Sequence, residues 1–276
     1  MEPVAPAYDY DSAHRPPPFT REIVELVRYR DLVRHLVARN IKVRYKRSVL
    51  GVAWSILSPL LTMVVLSIVF SALFRTAAPN YPVYLFPGLL MWNFFAQTTS
   101  VMAAEIVGGA DFWRRIYTPR TVFGVATVVT GLVHLALAMV PLAGLLVIYR
   151  APLSLSLIVV PFAVMCAAMF ALGIGLVVSS LARYFPDVVD LYQVVLTAWM
   201  YLTPVIYPRD IVPGRYQWLF SANPMTYVVE SFRTPIYEHR FPSLNMLLAD
   251  FAIAFVTLVA GWWLFTRTAD ELPYKV

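Results

Sequence analysis

Nearly uncharged runs of about twenty residues alternate with short polar stretches along most of this chain. The first runs from Val52 to Phe74, and others follow near 84–106, 121–148, 154–181, 189–207 and 245–266. About 20 predominantly apolar residues let a helix cross the ~30 Å hydrocarbon core of a bilayer. The pattern therefore predicts an all-α integral membrane protein with six transmembrane helices. Ahead of the first run, Ile23, Leu26, Val27, Val33, Leu36 and Val37 recur at helical spacing, while Arg28, Arg34 and Arg39 fall elsewhere on the wheel. Thr20 is a plausible N-cap for that helix. A basic amphipathic helix over 21–47 belongs at a membrane interface or against a partner. Residues 1–18, with Pro3, Pro6 and the run Pro16 to Pro18, carry no such period and predict a disordered cytoplasmic tail. Residues 19–276 then form a single transmembrane domain.

The stretch from Pro208 to Leu244 breaks the rhythm. It is too long for a turn and is interrupted by Pro213, Gly214, Pro224, Pro235 and Pro242, with Trp218, Phe220, Tyr227 and Phe232 between them. Two short re-entrant helices on the outer side, before the last span, fit this pattern. Irregular backbone at membrane depth is tolerated only against protein or a wet cavity.

Charge sets the orientation. Arg39, Lys42, Arg44, Lys46 and Arg47 stand directly before the first span, and cations so placed favour the cytoplasm. An even number of spans returns the C-terminus to the same side, so both termini are expected to be cytoplasmic. Only 14% of residues are charged and 59% are hydrophobic, which excludes an ordinary soluble domain. The net charge of +6 is concentrated in membrane-flanking positions, which is topology and not nucleic-acid recognition. Cys166 is the single cysteine, so no disulfide or thiolate metal site forms within one chain. The first fifty residues hold no short apolar core of a signal peptide, and insertion is expected through the first span.

Catalytic constellations are missing. There is no phosphate-cradling G-x-x-x-x-G-K-[ST], no H-E-x-x-H and no G-x-S-x-G. The ionisable residues inside the predicted spans are Glu105, His134 and Asp190. His134 can be read as a proton relay or as a hydrogen-bonded structural residue. The loop Asp111 to Arg120, with Phe112, Trp113, Arg114, Arg115 and Tyr117, reads either as a short helix docking on a cytoplasmic partner or as an interfacial anchor. Aromatic residues crowd the outer half: Tyr84, Phe86, Trp92, Phe94 and Phe95 in the second span, and Trp199, Tyr201 and Tyr207 at the end of the fifth. They suit a lipid-facing aromatic belt, or a channel whose rings let a glycan slide past.

Three groups of residues together resemble the permease subunit of a type-2 ABC exporter of polysaccharides such as O-antigen, teichoic acid, galactan or capsule. The first is Arg44-Tyr45-Lys46-Arg47-Ser48-Val49-Leu50-Gly51-Val52-Ala53-Trp54, closed by Leu57-Ser58-Pro59. The second comprises Phe86-Pro87-Gly88 through Phe95 and Tyr117-Thr118-Pro119-Arg120. The third comprises Thr203-Pro204-Val205-Ile206-Tyr207-Pro208 and Asn223-Pro224. The resemblance implies a homodimer in the bacterial plasma (inner) membrane with two copies of a separate ATPase subunit. That subunit would bind ATP and Mg, leaving no cofactor and no catalytic residue on this chain. It implies a coupling helix made by Asp111, Phe112, Trp113, Arg114, Arg115 and Tyr117. It also implies a channel at the dimer interface for a glycan linked to undecaprenyl pyrophosphate. Arg44, Lys46 and Arg47 are the candidates to hold that pyrophosphate. The family's Arg-Asp pair after the fourth span is altered here, where Pro186 precedes Asp187 and Arg183 lies one turn away. A drug or lipid exporter of the same fold is the nearest alternative, and a secondary transporter using His134, Glu105 or Asp190 is the more distant one.

Overall fold

The computed structural model describes residues 26, 28–46, 50–51, 53–71, 78–108, 121–152 and 154–269. Nine α-helices are found among these residues, and no strand. They are α1 (Arg30–Tyr45), α2 (Ala53–Phe70), α3 (Tyr81–Gly108), α4 (Thr121–Ile148), α5 (Val160–Tyr184), α6 (Val188–Leu202), α7 (Gln217–Ala222), α8 (Pro224–Arg233) and α9 (Leu244–Ala269). A 3-10 turn (Leu155–Val159) leads into α5, and a π-helical turn (Thr234–Glu238) continues α8.

Four helical stretches are long and apolar enough to cross a membrane: Ala53–Phe70, Thr121–Ile148, Leu155–Tyr184 and Leu244–Thr268. The other two predicted spans are helical but differ. The α3 helix has ample length at 28 residues, yet its Tyr, Trp, Asn, Gln and Thr residues dilute its apolar character. The predicted span 189–207 is shorter than expected, because α6 has 15 residues and stops at Leu202, just before Pro204. At 1.5 Å per residue it is about 22 Å long. The broken stretch before the last span does contain two short helices, α7 and α8.

The α3 helix is the centre of the fold. Leu85, Phe86, Leu89, Met91, Phe95 and Ala103 on it are almost wholly buried. Phe95 stacks on Phe170 of α5 at 5.3 Å between ring centres, and Trp199 of α6 closes on both edge-on. In lipid such rings gain little from leaving their surroundings, so close packing and hydrogen bonds hold the bundle together. The α5–α9 pair shows this best. A methyl group added at Gly261 would collide with the Gly173 carbonyl, and one at Gly173 with the Thr257 backbone. By contrast, α2 buries only Met63 and Ser67 and leaves Leu61, Val64, Val65, Ile68 and Val69 exposed.

The basic helix α1 carries Asp31 in its first turn and Lys42 and Arg44 in its last, matching the helix dipole at both ends. Its one buried residue, Leu36, packs on Val122 and Ala126 of α4. Further along, Arg44 reaches His134 of the same helix. Leu36 to Arg44 and Ala126 to His134 are equal separations, so α1 runs beside α4 in the same direction for about 12 Å.

Candidate functional site

Alongside α1, the helices α2, α3 and α4 leave a cavity of about 660 Å³ between them. One face of α3 forms its long wall, with Leu90, Phe94, Gln97, Val101 and Glu105 spaced three or four residues apart. That stripe extends about 22 Å along the helix. Polarity changes along it. Arg39 and Asn40 of α1, Glu105 and Thr127 line one end. Pro59, Leu90, Leu135 and Ala138 line the other.

The polar groups of the wall are only partly occupied with one another. Arg44 Nη2 donates to Gln97 Oε1 at 3.2 Å, and its Nη1 lies 3.4 Å from His134 Nδ1. Arginine can only donate, so Nδ1 is the acceptor in that contact. The Tyr45 ring meets His134 edge-on at 6.0 Å, and its hydroxyl bonds to Ser55. Thr127 donates to Glu105 Oε2 at 2.7 Å, and Arg39 lies within electrostatic reach of that carboxylate. Two buried atoms of lining residues, Thr98 Oγ1 and His134 Nε2, have no hydrogen-bond partner. The cavity thus offers Arg39 with Glu105 and Thr127 at one end, Arg44 with Gln97 and His134 midway along it, and mostly apolar side chains at the other. It suits an amphiphile with an anionic head.

A second polar cluster lies near the N-terminal end of α3. The Arg233 side chain of α8 is 3% exposed and stacks on the Tyr84 ring with its central carbon 4.1 Å from the ring centre. It donates to Tyr84 Oη at 2.8 Å, to the Pro204 carbonyl at 2.7 Å and to the Val205 carbonyl at 2.9 Å. Gly88 makes room for it, since a methyl group there would collide with Arg233 Nη2. Beside it, Asn223 caps α8 through Met225 N–H, accepts from Trp199 Nε1 at 2.8 Å, and donates to the Leu202 carbonyl and Thr203 Oγ1. Glu230 on α8 pairs with Arg209 at 3.5 Å. Burial pushes its carboxyl above the usual range, against the opposing pull of Arg209 and Arg233.

Of the residues predicted to hold an anion, Arg44 lines the cavity, whereas Lys46 is exposed and does not. Arg47 lies outside the described residues, as do Asp111, Phe112, Trp113, Arg114, Arg115 and Tyr117. Among the channel aromatics, Tyr84, Phe86, Trp92, Phe94 and Phe95 are packed in the chain's own core, and of these Phe94 lines the cavity. Trp199 is half-buried against Asn223, and Tyr207 is half-buried with its hydroxyl on the Tyr201 carbonyl. Tyr201 is 64% exposed. Arg39, Asn40, Asn93 and Gln97 were missed by the sequence reading. Asn93, Gln97 and Glu105 in one predicted span were the available signal, as a polar stripe on one helix face. Arg183 Nη1 donates to the Thr268 carbonyl at 2.7 Å, which ties the end of α5 to α9. Among the described residues, no group of three histidine, cysteine or acidic side chains could hold a metal ion.

Residues 31–237 match the family model of the ABC-2 type transporter. The chain is 30% identical over 258 residues to the O-antigen export system permease protein RfbA of Myxococcus xanthus, covering 93% of this chain and 99% of that protein. It is 26% identical to RfbA of Klebsiella pneumoniae, covering 86% and 92%. It is 27% identical to the polysialic acid transport protein KpsM of Escherichia coli, covering 87% and 93%. The chain belongs to the ABC-2 type transporter family.

Proposed function

We propose that this ABC-2 type transporter chain is the permease subunit of an ATP-driven exporter of a lipid-linked polysaccharide in the bacterial inner membrane. It works as a homodimer with two copies of a separate ATPase, which binds ATP and Mg. Six spans place both termini in the cytoplasm, and the glycan passes through a channel between the two copies. The geometry that carries this reading is the cavity between α1, α2, α3 and α4. Arg39 stands at its polar end, Arg44 stands about midway along it, and mostly apolar side chains lie beyond them. A polyprenyl pyrophosphate has the matching form: a dianion that needs fixed cations, joined to an apolar chain. The similarity to O-antigen permeases over almost the whole chain supports a glycan as cargo.

In this reading Arg44 exchanges Gln97 and His134 for phosphate oxygens, while Arg39 is shared between the phosphate and Glu105. The segment Asp111 to Tyr117 receives the ATPase. Of the aromatic residues named for the channel, Tyr201 is the one whose side chain is free to face it. A lipid exporter of the same fold would use the same cavity without the glycan.

The test is co-expression of the tagged chain with the ATPase encoded beside it, in a host lacking its own O-antigen exporter. Co-purification and surface glycan are expected from the native pair. Arg114→Glu/Arg115→Glu should abolish the complex, and Arg39→Ala/Arg44→Ala should leave the complex intact but lower export. A chain that holds no ATPase overturns the ABC reading. Lipid export with no surface glycan replaces the cargo.

A further inference from the structure

We infer that Arg233 is a positioning residue: it fixes the outer segment 203–238 to α3, so that displacement of α3 moves that segment as well. The inference rests on the proposed function, because it takes the ATPase to act at the far end of α3.

The α3 helix is continuous from Tyr81 to Gly108, about 40 Å. Its first turns are bonded to the outer segment at several points. Tyr81 donates to the Ile206 carbonyl at 2.6 Å, and Tyr84 to the Tyr207 carbonyl at 2.9 Å. Arg233 then joins Tyr84 to the Pro204 and Val205 carbonyls. Just before α3, the Pro79 carbonyl accepts from Tyr237 at 2.7 Å. The α6 helix, in contrast, ends at Leu202, and the carbonyls of its Pro204 break turn to Arg233. The outer segment is therefore continuous in chain with α6 but bonded laterally to α3.

The same contact braces a weak point. Pro87 lies inside α3 and has no N–H, so the Val83 carbonyl loses its helical partner there. Gly88, the next residue, is where the guanidinium packs. Among the described residues no carboxylate forms an ion pair with Arg233, and its Nε has no partner. A buried cation whose hydrogen bonds all go to neutral acceptors is an expensive way to fill space. What it provides is a forked, directional joint between two backbones.

The test uses the full chain in complex with its ATPase, with a fluorophore on Trp218→Cys, an exposed position in the outer segment. The native arginine should give a nucleotide-dependent signal. Arg233→Ala and Arg233→Lys should keep hydrolysis per complex within about twofold, while the signal and the glycan exported per ATP fall about tenfold or more. A purely structural role would lower the yield of complex and leave export per ATP unchanged. If the arginine variants do not accumulate, Tyr81→Phe/Tyr84→Phe makes the same test, since it removes hydroxyl bonds and keeps the rings. Persistence of the signal and of export per ATP in these variants overturns the inference alone. A native chain that binds no ATPase overturns the permease reading and the inference with it.

Discussion

Two regions of this protein are built around arginine, and they use it in opposite ways. In the outer cluster, Arg233 is buried, makes three bonds of 2.7 to 2.9 Å and lies over an aromatic ring. No space is left around it, and even one methyl group at Gly88 would collide with it. At the cavity, Arg44 is exposed, its contacts are 3.2 and 3.4 Å, and about 660 Å³ of open volume lies beside it. A guanidinium bonded to three acceptors and enclosed by its neighbours holds backbone in place. A half-satisfied one beside open volume is able to change partners. Under the proposed function the first region joins two backbones and the second exchanges ligand, so substitutions at the first should cost folded yield or coupling, and those at the second should cost export without loss of stability.

The largest effect should come from overfilling the enclosed site. Gly88→Val places its Cβ and two methyl groups where the guanidinium sits, with the Val205 carbonyl oxygen 3.4 Å from that Cβ. Displacing Arg233 leaves it and its acceptors buried without partners, at about 3–5 kcal/mol for the broken cluster. The folded yield in detergent, read by size-exclusion chromatography, should fall to near nothing. Normal yield would show that the joint is dispensable.

Next in size is Arg39→Ala/Arg44→Ala at the cavity. Here the melting temperature should stay within a few degrees, because both side chains border open space and their bonds are long. Export should drop about tenfold or more, since each lost charge-assisted bond is worth about 1.5–3 kcal/mol. A large loss of thermal stability with unchanged export per folded molecule would make the cavity arginines structural.

A smaller effect is expected at Asn223, beside the enclosed site. Asn223→Ala removes the α8 cap, worth about 0.5–2 kcal/mol. It also leaves the Trp199 N–H without its acceptor, which adds about 1–3 kcal/mol where that group is buried. Thermal unfolding should shift downward while the protein still accumulates. Asn223→Asp keeps the acceptor for Trp199 and Met225 but loses the donor to Leu202, and should fall between alanine and the native residue.

The extent of the helices could be read from the sequence because membrane spans follow from one-dimensional apolar length. The end of α6 could not, since Pro204 and Tyr207 both fit within an apolar run and only the structure shows the chain leaving the helix at Leu202. The cationic site was half legible. Arg44 carries its charge in the sequence, but Gln97 and Asn93 are neutral, and their place on one wall with Arg39 depends on α1 running beside α4. The outer cluster was the least legible. Arg233 reads as one more cation in an outer loop, and its contacts with Tyr84, Gly88 and Pro204 join residues up to 149 positions apart. Aromatic crowding is ambiguous in the same way: rings that suit a lipid-facing belt or a channel equally suit a core, and Phe86 and Phe95 are in the core.

Lys46 shares the basic motif with Arg44, follows it by two residues, and carries the same charge. A membrane-surface model in which the motif acts as a diffuse positive patch gives the two residues equal weight, about 1 kcal/mol each near an anionic leaflet. The structure separates them: Arg44 lines the cavity, and Lys46 is exposed outside it. A charge in contact with its ligand in a partly dry site acts more strongly than one screened by solvent over a Debye length of about 8 Å. Lys46→Ala should therefore lower export less than twofold, roughly, where Arg44→Ala alone lowers it several-fold, and raising the salt should narrow the first deficit and not the second. Equal losses at the two positions would mean that the motif attracts the lipid to the surface and that the cavity does not hold its head.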